Sequence, residues 1–84
     1  MNIETFKEII NGDSTNQASF LAALKMLQEN VLVILKTNEK DELYYVAKVD
    51  DILESNITKS QLEYIRDNGW KLTENSDFII KFLD

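Results

Sequence analysis

The chain has 84 residues, of which 44% are hydrophobic and 29% are charged, and its net charge is −6. This length and composition predict a single domain over residues 1–84 and exclude a disordered acidic tail. The chain contains no cysteine and no histidine, which excludes disulfides, thiolate metal sites and catalysis by a histidine-activated serine or cysteine. We therefore expect a protein that is not an enzyme and that uses no cofactor or metal.

The sequence shows no signal for export or for membrane insertion. Its first residues mix charges into the chain instead of forming a positive segment followed by an apolar one, and its longest apolar run, residues 31–35, is far shorter than a membrane span. The excess of acidic residues opposes direct binding to nucleic acid or to anionic lipid. We expect a cytoplasmic protein.

A first short helix is predicted from Asn2, which can cap it, to Gly12, which can end it in the left-handed conformation. The apolar residues between them follow helical spacing: Ile3, Phe6, Ile9 and Ile10.

A second helix is predicted to begin at Ser14, where Gln17 would complete a capping box, and to end near Asn30. Asp13 is the competing cap. The predicted buried stripe consists of Phe20, Leu21, Leu24 and Leu27.

Two β-hairpins are predicted. The first joins residues 31–37 to residues 43–49, both rich in β-branched, aliphatic or aromatic side chains, through the polar residues 38–42. The second joins residues 70–73 to residues 78–83 through residues 74–77. The connection at 38–42 lacks glycine and is too long for a two-residue turn, so a longer loop is expected.

Between the hairpins lies the strongest helix signal of the chain. Thr58 can cap the helix, Gln61 can complete a capping box, Ile57 can pack onto Leu62, and Gly69 can end the helix. The predicted order is therefore ααββαββ. This order indicates an α+β domain with a mostly antiparallel four-stranded sheet and helices on one face.

Residues 39–54 carry −4 of the net charge of −6, with six acidic side chains against Lys40 and Lys48. The acids form two groups separated by a predicted strand, and a strand of this length holds them roughly 20–25 Å apart. The groups are Glu39, Asp41 and Glu42 before the strand, and Asp50, Asp51 and Glu54 after it. This separation disfavours a shared metal ion or a catalytic pair, and leaves two interpretations, solvation of the surface or contact with a basic partner.

Tyr44 and Tyr45 are neighbours in a predicted strand, so their side chains should point to opposite faces of the sheet. Tyr45 shares its parity with Leu43, Ala47 and Val49, which predicts Tyr45 in the core and Tyr44 on the outside. An exposed tyrosine is a typical interface residue, although packing against a neighbouring strand is the alternative. Tyr64 is also predicted to be partly exposed, and Trp70 to be buried.

The chain resembles the small acidic proteins that phages and mobile elements use against host enzymes, including anti-CRISPR inhibitors and inhibitors of uracil-DNA glycosylase. The resemblance lies in length, acidity, the missing catalytic residues, the opening Met1-Asn2-Ile3 that leads into a short helix, and Asn68-Gly69-Trp70 at the end of a helix. It implies an inhibitor in the cytoplasm of the host cell that binds a basic surface of a host protein. Lys40 and Lys48 favour general inhibition over close imitation of DNA.

The sequence therefore predicts a partner-binding surface made of Glu39, Asp41, Glu42, Tyr44, Asp50, Asp51, Glu54 and Tyr64. The alternative is a structural protein that forms a homo-oligomer. In that case an exposed strand edge would pair with another subunit, or the apolar residues 78–83 would be buried against one. A monomer and a small homo-oligomer both remain open.

Overall fold

A computed structural model describes residues 1–83. The helices are Ile3–Ile10 (α1), Phe20–Gln28 (α2), Val49–Glu54 (α3) and Lys59–Asp67 (α4), and the strands are Val33–Thr37 (β1), Leu43–Lys48 (β2), Lys71–Leu72 (β3) and Phe78–Phe82 (β4). The strands form one antiparallel sheet in the order β1-β2-β4-β3. The predicted α+β fold is confirmed, with α3 as an additional helix.

The hydrophobic core lies between the helices and one face of the sheet. The sheet contributes Ala47 and Ile79, and its side chains pack into the same cluster as the buried residues of the four helices. Trp70 is the largest fully buried side chain, as the sequence predicted. None of the helices within residues 1–83 is long and apolar enough to cross a membrane.

Helix α1 begins as predicted but ends differently. The Asn2 Oδ1 accepts a hydrogen bond from the backbone N–H of Thr5 at 2.8 Å. Gly12 does not adopt the left-handed conformation, so this prediction was wrong. A Cβ atom at Gly12 would lie 2.8 Å from the Nη1 of Arg66 and 3.2 Å from the carbonyl oxygen of Ile9. The glycine therefore leaves room for the Arg66 side chain of α4, whose Nη1 donates to the carbonyl oxygen of Ile9 at 3.4 Å.

Helix α2 begins at Ser19 as its cap, later than the predicted Ser14 or Asp13. Ser14 instead donates its hydroxyl to the carbonyl oxygen of Asp67 at 3.1 Å, and Asn16 has a left-handed φ of 56°. These contacts make the preceding residues a loop that crosses the end of α4. The buried residues of α2 are Ala23, Leu24 and Leu27, whereas Leu21 is 73% exposed, contrary to the prediction.

Strand β2 gives way to helix α3 at Val49, where the sequence predicted the end of a strand. Val49 and Ile52 are both buried, and the backbone N–H of Val49 donates to the carbonyl oxygen of Asp77 at 2.9 Å. Burial of this apolar pair explains the short helix. Asp50 and Asp51 lie in its first turn and do not cap it.

Helix α4 confirms the strongest local prediction. Thr58 accepts from the backbone N–H of Gln61 at 3.1 Å, and the Gln61 side chain accepts from the backbone N–H of Thr58 at 3.0 Å. Ile57 and Leu62 are buried in the same cluster. Gly69 follows the helix with a φ of +98°, a conformation that favours glycine.

Both hairpin loops are held by an asparagine. In the loop at residues 38–42, the Asn38 Oδ1 accepts from the backbone N–H groups of Lys40 and Glu42, at 2.9 and 3.0 Å. In the loop at residues 74–77, the Asn75 Oδ1 accepts from the backbone N–H of Asp77 at 3.1 Å. These local bonds stabilise turns that contain no glycine, as expected for asparagine.

Asn68 is a buried polar residue that joins three parts of the fold. It caps the C-terminus of α4, its Nδ2 donates to the carbonyl oxygen of Ala18 at 3.2 Å, and its Oδ1 accepts from the indole Nε1 of Trp70 at 3.1 Å. The backbone of this residue thus holds the end of α4, and its side-chain amide joins the loop before α2 to the residue before β3.

We expect the substitution Asn68→Ala to lower the free energy of unfolding by about 2 kcal/mol, because the indole N–H of Trp70 would stay buried without an acceptor. Asn56→Ala, at an exposed position, is the matched control and should change stability little. Urea unfolding followed by the fluorescence of Trp70, the only tryptophan, measures both. Equal stability of the two variants would contradict the bridging role of Asn68.

Candidate protein-binding surface

The face of the sheet that points away from the hydrophobic core is open. The strand register places Tyr44 opposite Phe82 and Val46 opposite Ile80 on this face. We define the open face as the side chains of the four strands that point to the same side of the sheet as Tyr44 and Val46. They are Ile34, Lys36, Tyr44, Val46, Lys48, Lys71, Phe78, Ile80 and Phe82. None of its apolar side chains belongs to the core cluster. Ile34 and Phe82 are exposed, whereas Val46, in the middle of the face, is 7% exposed.

A shallow concavity occupies the middle of the open face. Its volume is about 310 Å³, and its lining includes Tyr44, Phe78, Ile80 and Phe82. The rings of Tyr44 and Phe82 pack together with their centroids 5.4 Å apart. Concavities of this size are at the small end of ligand sites, and an apolar side chain from a partner protein would match its aromatic walls.

The acidic loop, which we define as residues 39–42 with the carboxylates of Glu39, Asp41 and Glu42, lies at one end of the open face. Asp41 and Glu42 line a second depression, of about 190 Å³, together with the exposed side chains of Leu43, Phe82 and Leu83. The Asn38 Nδ2 donates to the Glu42 Oε1 at 3.1 Å and orients that carboxylate. Phe82 lines both depressions, so carboxylates and exposed apolar side chains meet at this end.

The second group of acids lies in α3, at the other end of β2. Asp50 and Glu54 are exposed, whereas Asp51 is half-buried in a cleft of about 140 Å³ that also contains Leu32 and Lys48. The six residues of β2 separate this group from the acidic loop by about 20 Å. Within residues 1–83, no group of acidic side chains is arranged to hold a metal ion.

The three tyrosines occupy different environments. Tyr44 lies on the open face and Tyr45 on the core side, where its ring packs 6.0 Å from Phe20 and 6.5 Å from Trp70. This confirms the predicted orientation of the pair. Tyr64 is half-buried against the core, and its hydroxyl accepts from the backbone N–H of Ser19 at 2.9 Å. The structure therefore separates Tyr64 from the open face and gives it a contact within the fold.

Sequence reasoning missed several members of this surface. The apolar residues 78–83 indicated a need for cover, but only the register shows that Phe78, Ile80 and Phe82 share a face with Tyr44. It also places lysines from three strands on the open face: Lys36, Lys48 and Lys71. The surface therefore has apolar residues at its centre, lysines at its borders and acidic residues at its ends.

Neighbouring isoleucines on β4 test whether the open face lies outside the core. Ile79 is fully buried, whereas Ile80 is only partly buried on the open face. We expect Ile79→Ala to lower the free energy of unfolding by about 3 kcal/mol and Ile80→Ala by about 1 kcal/mol, because only the first leaves a closed cavity. Equal losses in urea unfolding would show that the open face is packed as tightly as the core.

Comparison of the chain with protein-family models, with curated proteins and with solved structures found no match. The open face and the acidic loop therefore supply the chemistry from which we infer a function.

Proposed function

We propose that this chain is a small protein without enzymatic activity that inhibits a target protein by covering a basic surface on it. An anti-defence protein of a phage or mobile element, such as an anti-CRISPR inhibitor, is the class that this description fits. The observation that supports the proposal is the meeting of exposed apolar side chains with carboxylates, where Phe82 and Leu83 share a depression with Asp41 and Glu42.

Each part of this surface has a separate role in binding. Aromatic side chains in a concave, desolvated centre supply most of the affinity in protein interfaces, and Tyr44 with Phe82 can act in this way. The exposed carboxylates of the acidic loop raise the rate of encounter with a basic partner and select against acidic ones. A partner that fits therefore presents an apolar side chain flanked by lysine or arginine.

The lysines of the open face restrict the mode of inhibition. Lys36 and Lys48 lie between the two acidic groups, so the surface does not repeat the continuous negative charge of a nucleic-acid backbone. The target is therefore covered through an apolar contact with a charged border. Imitation of DNA is the less favoured version of the proposal.

The acidic loop can be neutralised without disturbing the fold. The triple variant Glu39→Gln, Asp41→Asn and Glu42→Gln keeps side-chain size, and Asn suits the left-handed φ of 60° at position 41. We expect the variant to recover at least tenfold less of a basic partner in affinity capture from the lysate of a host cell, measured by quantitative mass spectrometry. The loss should shrink as salt rises, because exposed charges are screened.

The matched control removes the same charge from the helical side of the molecule. Glu4→Gln, Glu8→Gln and Glu63→Gln are exposed positions on α1 and α4, and this triple variant should capture the partner as the unchanged protein does. A partner that both triple variants retain equally would exclude the acidic loop as a binding site.

The apolar contact needs its own variant. Tyr44→Ala combined with Phe82→Ser removes the aromatic pair from the open face. We expect this double variant to abolish capture, while its Trp70 fluorescence stays that of the folded protein.

The identified partner, purified by itself, tests inhibition. We expect its activity on its own anionic ligand to fall when the unchanged protein is added. A fluorescent single-stranded oligonucleotide provides the opposite test. If the unchanged protein binds it, and the double variant Lys36→Gln with Lys48→Gln does not, the open face is a nucleic-acid site and the proposal is overturned.

A further inference from the structure

Strand β1 forms an edge of the sheet with unpaired backbone groups. The backbone N–H of Asn38 donates to the carbonyl oxygen of Glu42 at 3.1 Å, which continues the ladder between β1 and β2. Backbone groups of alternate residues point to the same side of a strand. Ile34 and Lys36 therefore bond to β2, and the N–H and C=O groups of Val33, Leu35 and Thr37 point away from the sheet.

This edge is apolar on both of its faces. Ile34 is 41% exposed on the open face, Leu35 is 48% exposed on the helical side, and the preceding Leu32 is 66% exposed. Natural edge strands are usually protected by charges, proline or a bulge. Residues 31–37 carry a single charge, Lys36, and no proline.

We propose that β1 pairs with β1 of a second copy of this chain, in antiparallel orientation about a two-fold axis at Ile34. The outward-pointing residues then form the hydrogen-bonded pairs, Val33 with Leu35 of the second copy and Leu35 with Val33 of the second copy. The two Ile34 side chains face each other as a non-hydrogen-bonded pair, with Cα atoms about 4.5 Å apart. The two sheets become one continuous sheet.

Charge and apolar contact select this register among those that the edge allows. If the two-fold axis lay at Lys36 instead of Ile34, the two Lys36 ammonium groups would lie opposite each other and repel. About Ile34, each Lys36 instead lies opposite Leu32 of the other copy. Leu32 lines the same cleft as Asp51, and Lys36 and Lys48 of that chain line it too, without reaching ion-pair distance of Asp51. The Asp51 carboxylate has no ion-pair partner within the described part of its own chain. Each Lys36 can therefore pair with Asp51 of the other copy.

The interface would bury the exposed apolar side chains of β1 on both sides of the joined sheet. On the open face, Ile34 meets Ile34 of the second copy, and Leu32 lies against the aliphatic part of its Lys36. On the helical side, Leu35 lies beside Val33 of the second copy. The second copy is favoured over an unrelated strand because the edge is complementary to itself, as a two-fold interface requires. This inference does not depend on the proposed function, since it leaves the acidic loop outside the interface.

A single cysteine can report the register, because the natural chain has none. In the proposed dimer, Ile34→Cys places two Cβ atoms across the two-fold axis within reach of a disulfide. We expect rapid and nearly complete cross-linking of this variant under mild oxidation, detected as a dimer in gels without reductant. Leu21→Cys, at the more exposed Leu21, is the control and should cross-link slowly. Equal rates for the two variants would overturn the proposal.

Charge reversal tests the ion pair. Sedimentation equilibrium across about 1 µM to about 1 mM covers the dissociation constants of weak contacts, and we expect the unchanged protein to dimerise within this range. Lys36→Asp and Asp51→Lys should each weaken the dimer at least tenfold, and the double variant should recover most of that loss. A monomer throughout this range, or a double variant weaker than both single variants, would overturn the proposal. Trp70 fluorescence checks that each variant is folded.

Discussion

The fold depends on the buried amide of Asn68. The backbone of Asn68 caps the end of α4, while its side chain holds the loop before α2 through Ala18 and satisfies the indole N–H of Trp70. A buried polar group is tolerated only when its hydrogen bonds are made, and here each end of the amide bonds to a different part of the chain. The bonds of Asn68 thus tie the loop before α2 and the indole of the largest core side chain to the end of α4.

The one-sided sheet links this core to the proposed function. A domain of 84 residues has limited apolar material, and its helices cover only the face that carries Ala47 and Ile79. The alternation that directs Tyr45 towards Trp70 necessarily directs Tyr44 outwards, beside Phe82. The open face is therefore a direct result of the way this chain builds its core.

Two groups of acids and three lysines lie around this face, outside the core. The acidic loop and the acids of α3 border the ends of β2, and lysines lie between them. Exposed charges in this arrangement contribute little to folding stability; in the proposed function they would select the partner and its orientation. The proposed pairing of β1 edges would place two such surfaces side by side in one sheet.

Local chemistry determined much of the fold from sequence alone. The cap at Asn2, the capping box at Thr58 and the alternation of Tyr44 and Tyr45 involve neighbours in the chain, so their patterns predicted α1, α4 and the faces of β2. Tertiary contacts decided the rest: Asp67 holds Ser14 in a loop, and burial of Ile52 turns the chain into α3. The meeting of Phe82 with the acidic loop also required the strand order and register, because residues about 40 positions apart become neighbours only when the sheet forms.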